Sequence, residues 1–278
     1  MERSTFYYRS RPKDDGELLK QIREIAKAHP RYGYRRIWAI LKRQGTRVNR
    51  KRVHRLWKKA GLSLPRRRPK KRVRNGSNLP LQAIYPNHVW TYDFIFDETA
   101  DGRKLKFLTV VDEDTRESPG IRVGRRMGAA AVKTAMNELF EKQGTPEYLR
   151  SDNGPEFIAK LIQDWLASLG TKPYYIKPGS PWENPYGESF NDKFRVECLD
   201  MEIFLSVPEA RVVSQMWHRH YNQDRPHSSL GYKTPAEYRA EWERTQKVRF
   251  LPPAPSSLRS ALGAGGRKET TLCLADSV

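Results

Sequence analysis

Residues 88–176 carry the order that most restricts the fold. Segments 88–96 and 104–112 have the β-branched and aromatic content of strands, and Asp101-Gly102 between them predicts a tight turn. A third strand is expected at 119–125, a helix at 128–143, a strand at 147–151, a helix at 155–168 and a last strand at 171–176. Three strands followed by helix, strand, helix and strand predict an α/β domain. Its sheet is five-stranded and mixed, with helices on its faces.

Three carboxylates stand in contexts that packing does not explain. Asp93 interrupts an apolar, aromatic run, VWTYDFIF. Asp152 follows a short strand pattern in YLRSDNGPEF, at the carboxyl end of a strand, where open α/β sheets bind their ligands. Glu188 opens a helix behind a Pro/Gly-rich loop in GSPWENPYGESF. Fifty-eight residues separate Asp93 from Asp152, and 35 separate Asp152 from Glu188. Each acid alone is ordinary: a strand Asp, a turn Asp and a helix N-terminal Glu. Together they are the oxygen ligands that two hard divalent cations would need for phosphoryl transfer. Without metal, three converging carboxylates would repel and hold protons more tightly.

The Glu188 helix has its own start signal. Asn184 is a good N-cap, and Pro185 suits the first helical position. Arg195, seven residues past Glu188, returns to within about 20° of the same helical face. There it can meet a phosphate, or it can pair with Asp192 or Glu197. The loop 177–185 holds three Pro and one Gly. Two readings stand for its Trp182: stacking on an unpaired base beside the reacting phosphate, or covering the apolar end of the core. Lys177 opens the same loop.

Charge divides the chain. Residues 1–80 hold 26 Lys+Arg against 5 Asp+Glu, while the remaining 198 residues hold 26 against 27, so one module carries the net charge of +20. That module also has helical periodicity. Leu18, Leu19, Ile22, Ile25 and Ala26 mark one helix, and Tyr34, Ile37, Trp38 and Leu41 mark a second that ends near Gly45. Asn49 would cap a third, with Val53, Leu56 and Trp57 inward and Gly61 at its end. Its outward residues are Arg50, Lys51, Arg52, Arg55, Lys58 and Lys59. Helix, turn and basic helix form a helix-turn-helix pattern, and the charge favours a nucleic-acid partner over a merely solvated face. A basic linker follows, containing Arg66, Arg67 and Arg68, able to track phosphates.

Composition closes other routes. Cys198 and Cys273 are too few for a disulfide framework, no Cys/His spacing suits a zinc finger, and no secretory leader or run of about 18 apolar residues occurs. A soluble cytoplasmic protein is expected. Residues 203–244 predict one or two further helices, broken at Arg225-Pro226, with a capping box at Thr234 and Glu237. The expected division is a helix-turn-helix module at 15–62, a linker at 63–84, an α/β domain at 85–245 and a flexible tail at 246–278.

WTYDF, YLRSDNGPEF, SPWENPYGESFNDKFRVECL and YNQDRPHSSLGYKTPAEY together resemble the second-frame (OrfB) protein of bacterial insertion sequences of the IS-three type. That group lies in the DDE transposase and retroviral integrase superfamily. The resemblance runs from about residue 15 to 242. It implies an RNase H-like core preceded by a small all-α helix-turn-helix module. It implies Asp93, Asp152 and Glu188 as catalytic, metal-binding residues for two Mg2+ or Mn2+ ions, with Arg195 as the accompanying basic residue. It further implies DNA ends and target DNA as partners, a homo-oligomer on DNA, an upstream-frame (OrfA) protein or fusion, and a nucleoid-associated location in a bacterium. Two other functions stay open on the residues: a non-catalytic DNA-binding regulator, and an RNase H-like nuclease that never joins strands.

Overall fold

The computed structural model describes residues 15–65 and 81–249. Arg66, Arg67, Arg68, most of the linker, Cys273 and residues 250–278 lie outside the described residues.

The basic module is three helices around one apolar cluster. They are α1 (Gly16–Ala28), α2 (Tyr34–Arg43) and α3 (Arg50–Lys59). Their helical spacing turns Ile22, Ile37, Leu41, Val53, Leu56 and Trp57 toward one another. The Asn49 side chain caps α3 by accepting from Lys51 N at 2.8 Å. Gly45 and Gly61 end α2 and α3 with φ of +86° and +71°, backbone that only glycine adopts cheaply. The module rests on the helices that follow the sheet. Tyr32 bonds His220 at 2.8 Å, Arg36 pairs with Glu197 at 3.0 Å, and Trp38 meets Tyr232 edge-on at 5.6 Å.

The sheet has the order β3-β2-β1-β4-β5. Strands β1 (Val89–Glu98), β2 (Lys104–Asp112) and β3 (Gly120–Gly124) are antiparallel, while β4 (Tyr148–Ser151) and β5 (Lys172–Tyr175) run parallel to β1. The turn between β1 and β2 forms as expected. Gly102 takes φ +76°, and the Asp101 carboxylate accepts from Thr99 and Arg103.

Strand alternation assigns the two faces. Trp90, Tyr92, Leu108, Val110 and Leu149 face α4 (Ala129–Gln143) and two shorter helices, α5 (Pro155–Ile158) and α6 (Lys160–Ser168). Ile95, Leu105, Phe107 and Val111 face α7 (Pro185–Glu197) and α8 (Val207–Gln223). Gly120 lets α4 approach β3, since a Cβ there would lie 2.6 Å from a Leu139 methyl.

One expectation is corrected. Residues 155–168 are not a single helix, because Ala159 is extended (φ −57°, ψ 137°) between α5 and α6. The break lets Phe157 reach Tyr92 and Phe94, at 4.3 and 4.9 Å between rings, while Ile162, Trp165 and Leu166 keep to the same core. The Gln163 side chain donates to the exposed Ile158 carbonyl at 2.7 Å.

After α8 the chain turns at Arg225-Pro226 and enters α9 (Pro235–Arg249), whose Thr234/Glu237 capping box forms at 2.8 and 3.2 Å. No helix among the described residues is long and apolar enough to cross a membrane.

Candidate functional site

The alternation that builds the core also aims Asp93. It lies between Thr91 and Ile95 on the α7 face of β1. Thr91 pairs with Arg150 across the parallel β1–β4 ladder. Asp152 follows directly on β4, past the last paired position of that ladder. Glu188 arrives from the opposite layer, in the first turn of α7. The position of that turn is set by Asn184. Its side-chain oxygen accepts from Gly187 N at 3.3 Å and from the Thr91 hydroxyl at 2.6 Å, so the cap is bolted to β1. Gly187 is required here, since a Cβ would lie 2.7 Å from that oxygen.

Asp93 is held on both oxygens. Oδ1 accepts from Phe94 N at 2.7 Å and Oδ2 from Asn191 Nδ2 at 2.8 Å. Burial nevertheless raises its carboxyl from 3.8 to about 6, and the negative charges of Asp152 and Glu188 push the same way.

The structure divides them between two openings. Asp93, Glu188, Asn191, Asp192 and Arg195 line a cavity of about 810 Å³. Asp152 lines another of about 400 Å³, with Asn153 and Lys177. Among the described residues, no three His, Cys, Asp or Glu side chains form a group that could hold a metal ion. The three acids offer oxygen ligands only, the donors a hard cation takes, and the Asp93 carboxyl, raised to about 6 by burial, must lose its proton to bind one.

Arg195 pairs with neither Asp192 nor Glu197 in the hydrogen bonds it makes to the sheet. Its Nη2 donates to the Phe96 carbonyl at 3.0 Å, on the rim of the larger cavity. Glu197 turns the other way, to Arg225 at 2.6 Å and Arg36 at 3.0 Å. Trp182 is 49% exposed and is not among the residues of the two core clusters. On α3, Arg50, Lys51, Arg55, Lys58 and Lys59 are exposed. Arg52 and Arg55 both reach Asp15, at 2.6 and 2.9 Å.

Four contributors were missed in the sequence. Asn191 orients Asp93 and accepts from Thr109 at 2.8 Å. It lies one helical turn after Glu188, a spacing that could have found it. Thr91 and Thr109 are strand residues whose hydroxyls serve the site, and nothing local marks them. Arg150 is wholly buried beside Glu113. Its guanidinium donates to the carbonyls of Glu183, at 3.0 Å, and Leu81, at 2.5 Å. It therefore ties the loop before α7 and the entry into the α/β region to β4.

Integrase core domain families match residues 85–181 and 169–235, and an HTH-like domain family matches 13–70. The putative transposase InsK for insertion sequence element IS150 of Escherichia coli K12 is 30% identical over 255 residues, covering 85% of this chain and 89% of its own length. The chain belongs to the insertion-element transposase family. An uncharacterized 31.7 kDa protein of insertion element IS407 from Burkholderia multivorans is 38% identical over 247 residues, 88% of this chain and 89% of that one. A simian T-cell lymphotropic virus intasome, solved by cryo-electron microscopy with the PP2A regulatory subunit B56 gamma, shares the fold. It gives a TM-score of 0.52 at 12% identity, over 92% of this chain and 80% of that chain. As a transposase with an integrase core, the chain falls in the polynucleotidyl-transferase superfamily.

Proposed function

We propose that this transposase cuts and joins DNA at a DDE site formed by Asp93, Asp152 and Glu188, with Arg195 beside it. The observation that carries the reading is that Asp93 and Glu188 line one cavity with Arg195, and that Asn191 from the Glu188 helix holds Asp93 Oδ2 at 2.8 Å.

Asp93, Asp152 and Glu188 would hold two Mg2+ or Mn2+ ions. Such ions supply charge stabilisation to the attacking and leaving oxygens of an in-line displacement. The remaining work falls to the chain. Asn191 fixes the rotamer of Asp93, and Asn184 fixes the start of the Glu188 helix against Thr91. Arg195, which donates to the Phe96 carbonyl, would steady a phosphate that does not react. Lys177, which lines the Asp152 opening, would grip a phosphate, and the half-exposed Trp182 further along the same loop would stack on an unpaired base. The outward cations of α3 and the linker arginines Arg66, Arg67 and Arg68 would supply sequence-independent affinity. Residues 15–62 would then act as a DNA-binding module, 63–84 as linker and 85–245 as catalytic domain. DNA ends and target DNA are the partners, and self-association on DNA is expected.

A regulator that only binds DNA has no use for the acid cluster. A nuclease without strand joining would share it. The test is a strand-transfer assay on the full chain, with a labelled element end, a target duplex and Mg2+ or Mn2+. Joined product supports the reading. Binding without any cleavage supports the regulator, and cleavage without joining supports the nuclease.

A further inference from the structure

The closing motif, YNQDRPHSSLGYKTPAEY, has no role in the site described above. Its central residues nevertheless do something specific in space. Arg225, His227, Ser228 and Ser229 line a cavity of about 320 Å³ on the flank of α7. Pro185 and Ser189 line both this cavity and the one that holds Asp93 and Glu188. The two openings therefore lie along one helix.

The walls are strongly cationic. Arg36 from α2, Arg116 from the loop after β2, Lys193 from α7 and Arg225 all face the cavity, and no carboxylate is among the described residues that line it. Glu197 pairs with Arg36 and Arg225. Lys193 and Arg116 instead donate to uncharged oxygens. Lys193 reaches the Ser189 carbonyl and hydroxyl at 2.6 and 2.5 Å. Arg116 reaches the Glu113 carbonyl and stacks over the Tyr186 ring at 3.8 Å. Cations from four separate segments have been gathered at one place, at a cost in mutual repulsion that burial increases.

A second observation points to a missing partner. His227 is only 4% exposed, yet its Nε2 has no hydrogen-bond partner. A buried ring nitrogen without a partner costs free energy unless something fills the site. Burial and the charges of Arg225 and Lys193 hold this imidazole far below its ordinary value, while Lys193 is lowered to about 8, first by burial and then by Arg225. Both shifts would be relieved by an anion.

We propose that this cavity is a phosphate-binding pocket that takes a backbone phosphodiester of the DNA bound at the neighbouring acid site. The inference rests on the DNA strand-transfer reading. It assigns to the closing motif the task of gripping the strand one helix-width from the reacting phosphate. Arg116 and Lys193 supply charge-assisted N–H donors, Ser228 and Ser229 offer hydroxyls, and the anion's charge favours a proton on His227 Nε2, which could then donate to it.

The test is equilibrium binding of the full chain to a short fluorescent duplex across a salt series. Lys193→Gln and Arg116→Gln are compared with Lys193→Arg and with Lys133→Gln, a change on the remote helix α4. The pocket predicts that each Gln variant at 193 or 116 weakens binding about three- to ten-fold, and lowers the slope of log affinity against log salt by about one. Lys193→Arg and Lys133→Gln should match the wild-type chain, and all four should keep its melting temperature. Wild-type affinity and slope in both Gln variants would overturn the pocket while leaving the strand-transfer reading intact. A wild-type chain that binds no duplex would overturn both. A second arm follows the His227 imidazole by nitrogen NMR. A shift on adding DNA supports the proposal, whereas a shift with inorganic phosphate and none with DNA makes the pocket a small-anion site and rejects it.

Discussion

Asn191 Nδ2 donates to Asp93 Oδ2 at 2.8 Å, and Asn191 Oδ1 accepts from Thr109 at 2.8 Å. One side chain on α7, itself held by a hydroxyl on β2, thus orients an acid on β1. The proposed site is fixed by helix-to-sheet hydrogen bonds as much as by its acids. Asn191→Ala should leave the fold in place and reduce end cleavage, or raise the Mg2+ needed for half-maximal cleavage, about 10- to 100-fold. A magnesium titration of cleavage reads this. An unchanged titration would remove Asn191 from the account.

Asp93 also predicts a pH signature in stability. Its folded value, about 6, lies above the unfolded 3.8. The native state therefore holds the proton more tightly. The stabilisation is fully present below the unfolded value and is lost as pH rises through about 6, a change of about 3 kcal/mol at most. Without divalent metal, Asp93→Asn should gain stability over the wild-type chain near pH 7.5 and lose that advantage near pH 4. Melting curves of both chains across this range decide it. A pH-independent difference would mean that burial does not raise the Asp93 carboxyl.

Much of this arrangement is legible in the sequence, and the boundary of legibility is physical. Strand order, the Asn49 and Asn184 caps, the Thr234 capping box and the glycine helix ends are local signals, and each appears in the structure. Ala159 is different. Nothing near it breaks a helix, and the break arises because Phe157 must meet rings on β1. Thr91, Thr109 and Arg150 are likewise invisible, since their partners lie 16 to 93 residues away in the chain. Asn191 was recoverable by helical spacing from Glu188 alone.

Arg150 and Glu113 form a wholly buried ion pair, with 3.3 Å between nitrogen and oxygen. The pair is close, but neither Glu113 oxygen receives a hydrogen bond. Burial raises the Glu113 carboxyl to about 7, while Arg150 pulls the other way. Arg150→Met would leave that acid unpaired and free the Glu183 and Leu81 carbonyls. A loss of about 3–5 kcal/mol is expected. The double variant Arg150→Met/Glu113→Gln should recover part of it in chemical denaturation. A double variant no more stable than the single one would show that the pair's charge is unimportant.

Trp182, 49% exposed in the loop before α7, should bind rather than pack. Trp182→Ala should weaken binding to single-stranded or frayed-end DNA by about 1–3 kcal/mol, with melting temperature almost unchanged. A large drop in melting temperature with unaltered DNA affinity would restore the packing reading.

The central claim is that Asp93, Asp152 and Glu188 act as one catalytic unit. The most direct measurement is cleavage and strand transfer by Asp93→Asn, Asp152→Asn and Glu188→Gln, run beside duplex binding at equal salt. Each single change should abolish both reactions while DNA affinity stays within a few-fold of the wild-type chain. Cleavage at the normal rate in any one of the three would contradict it.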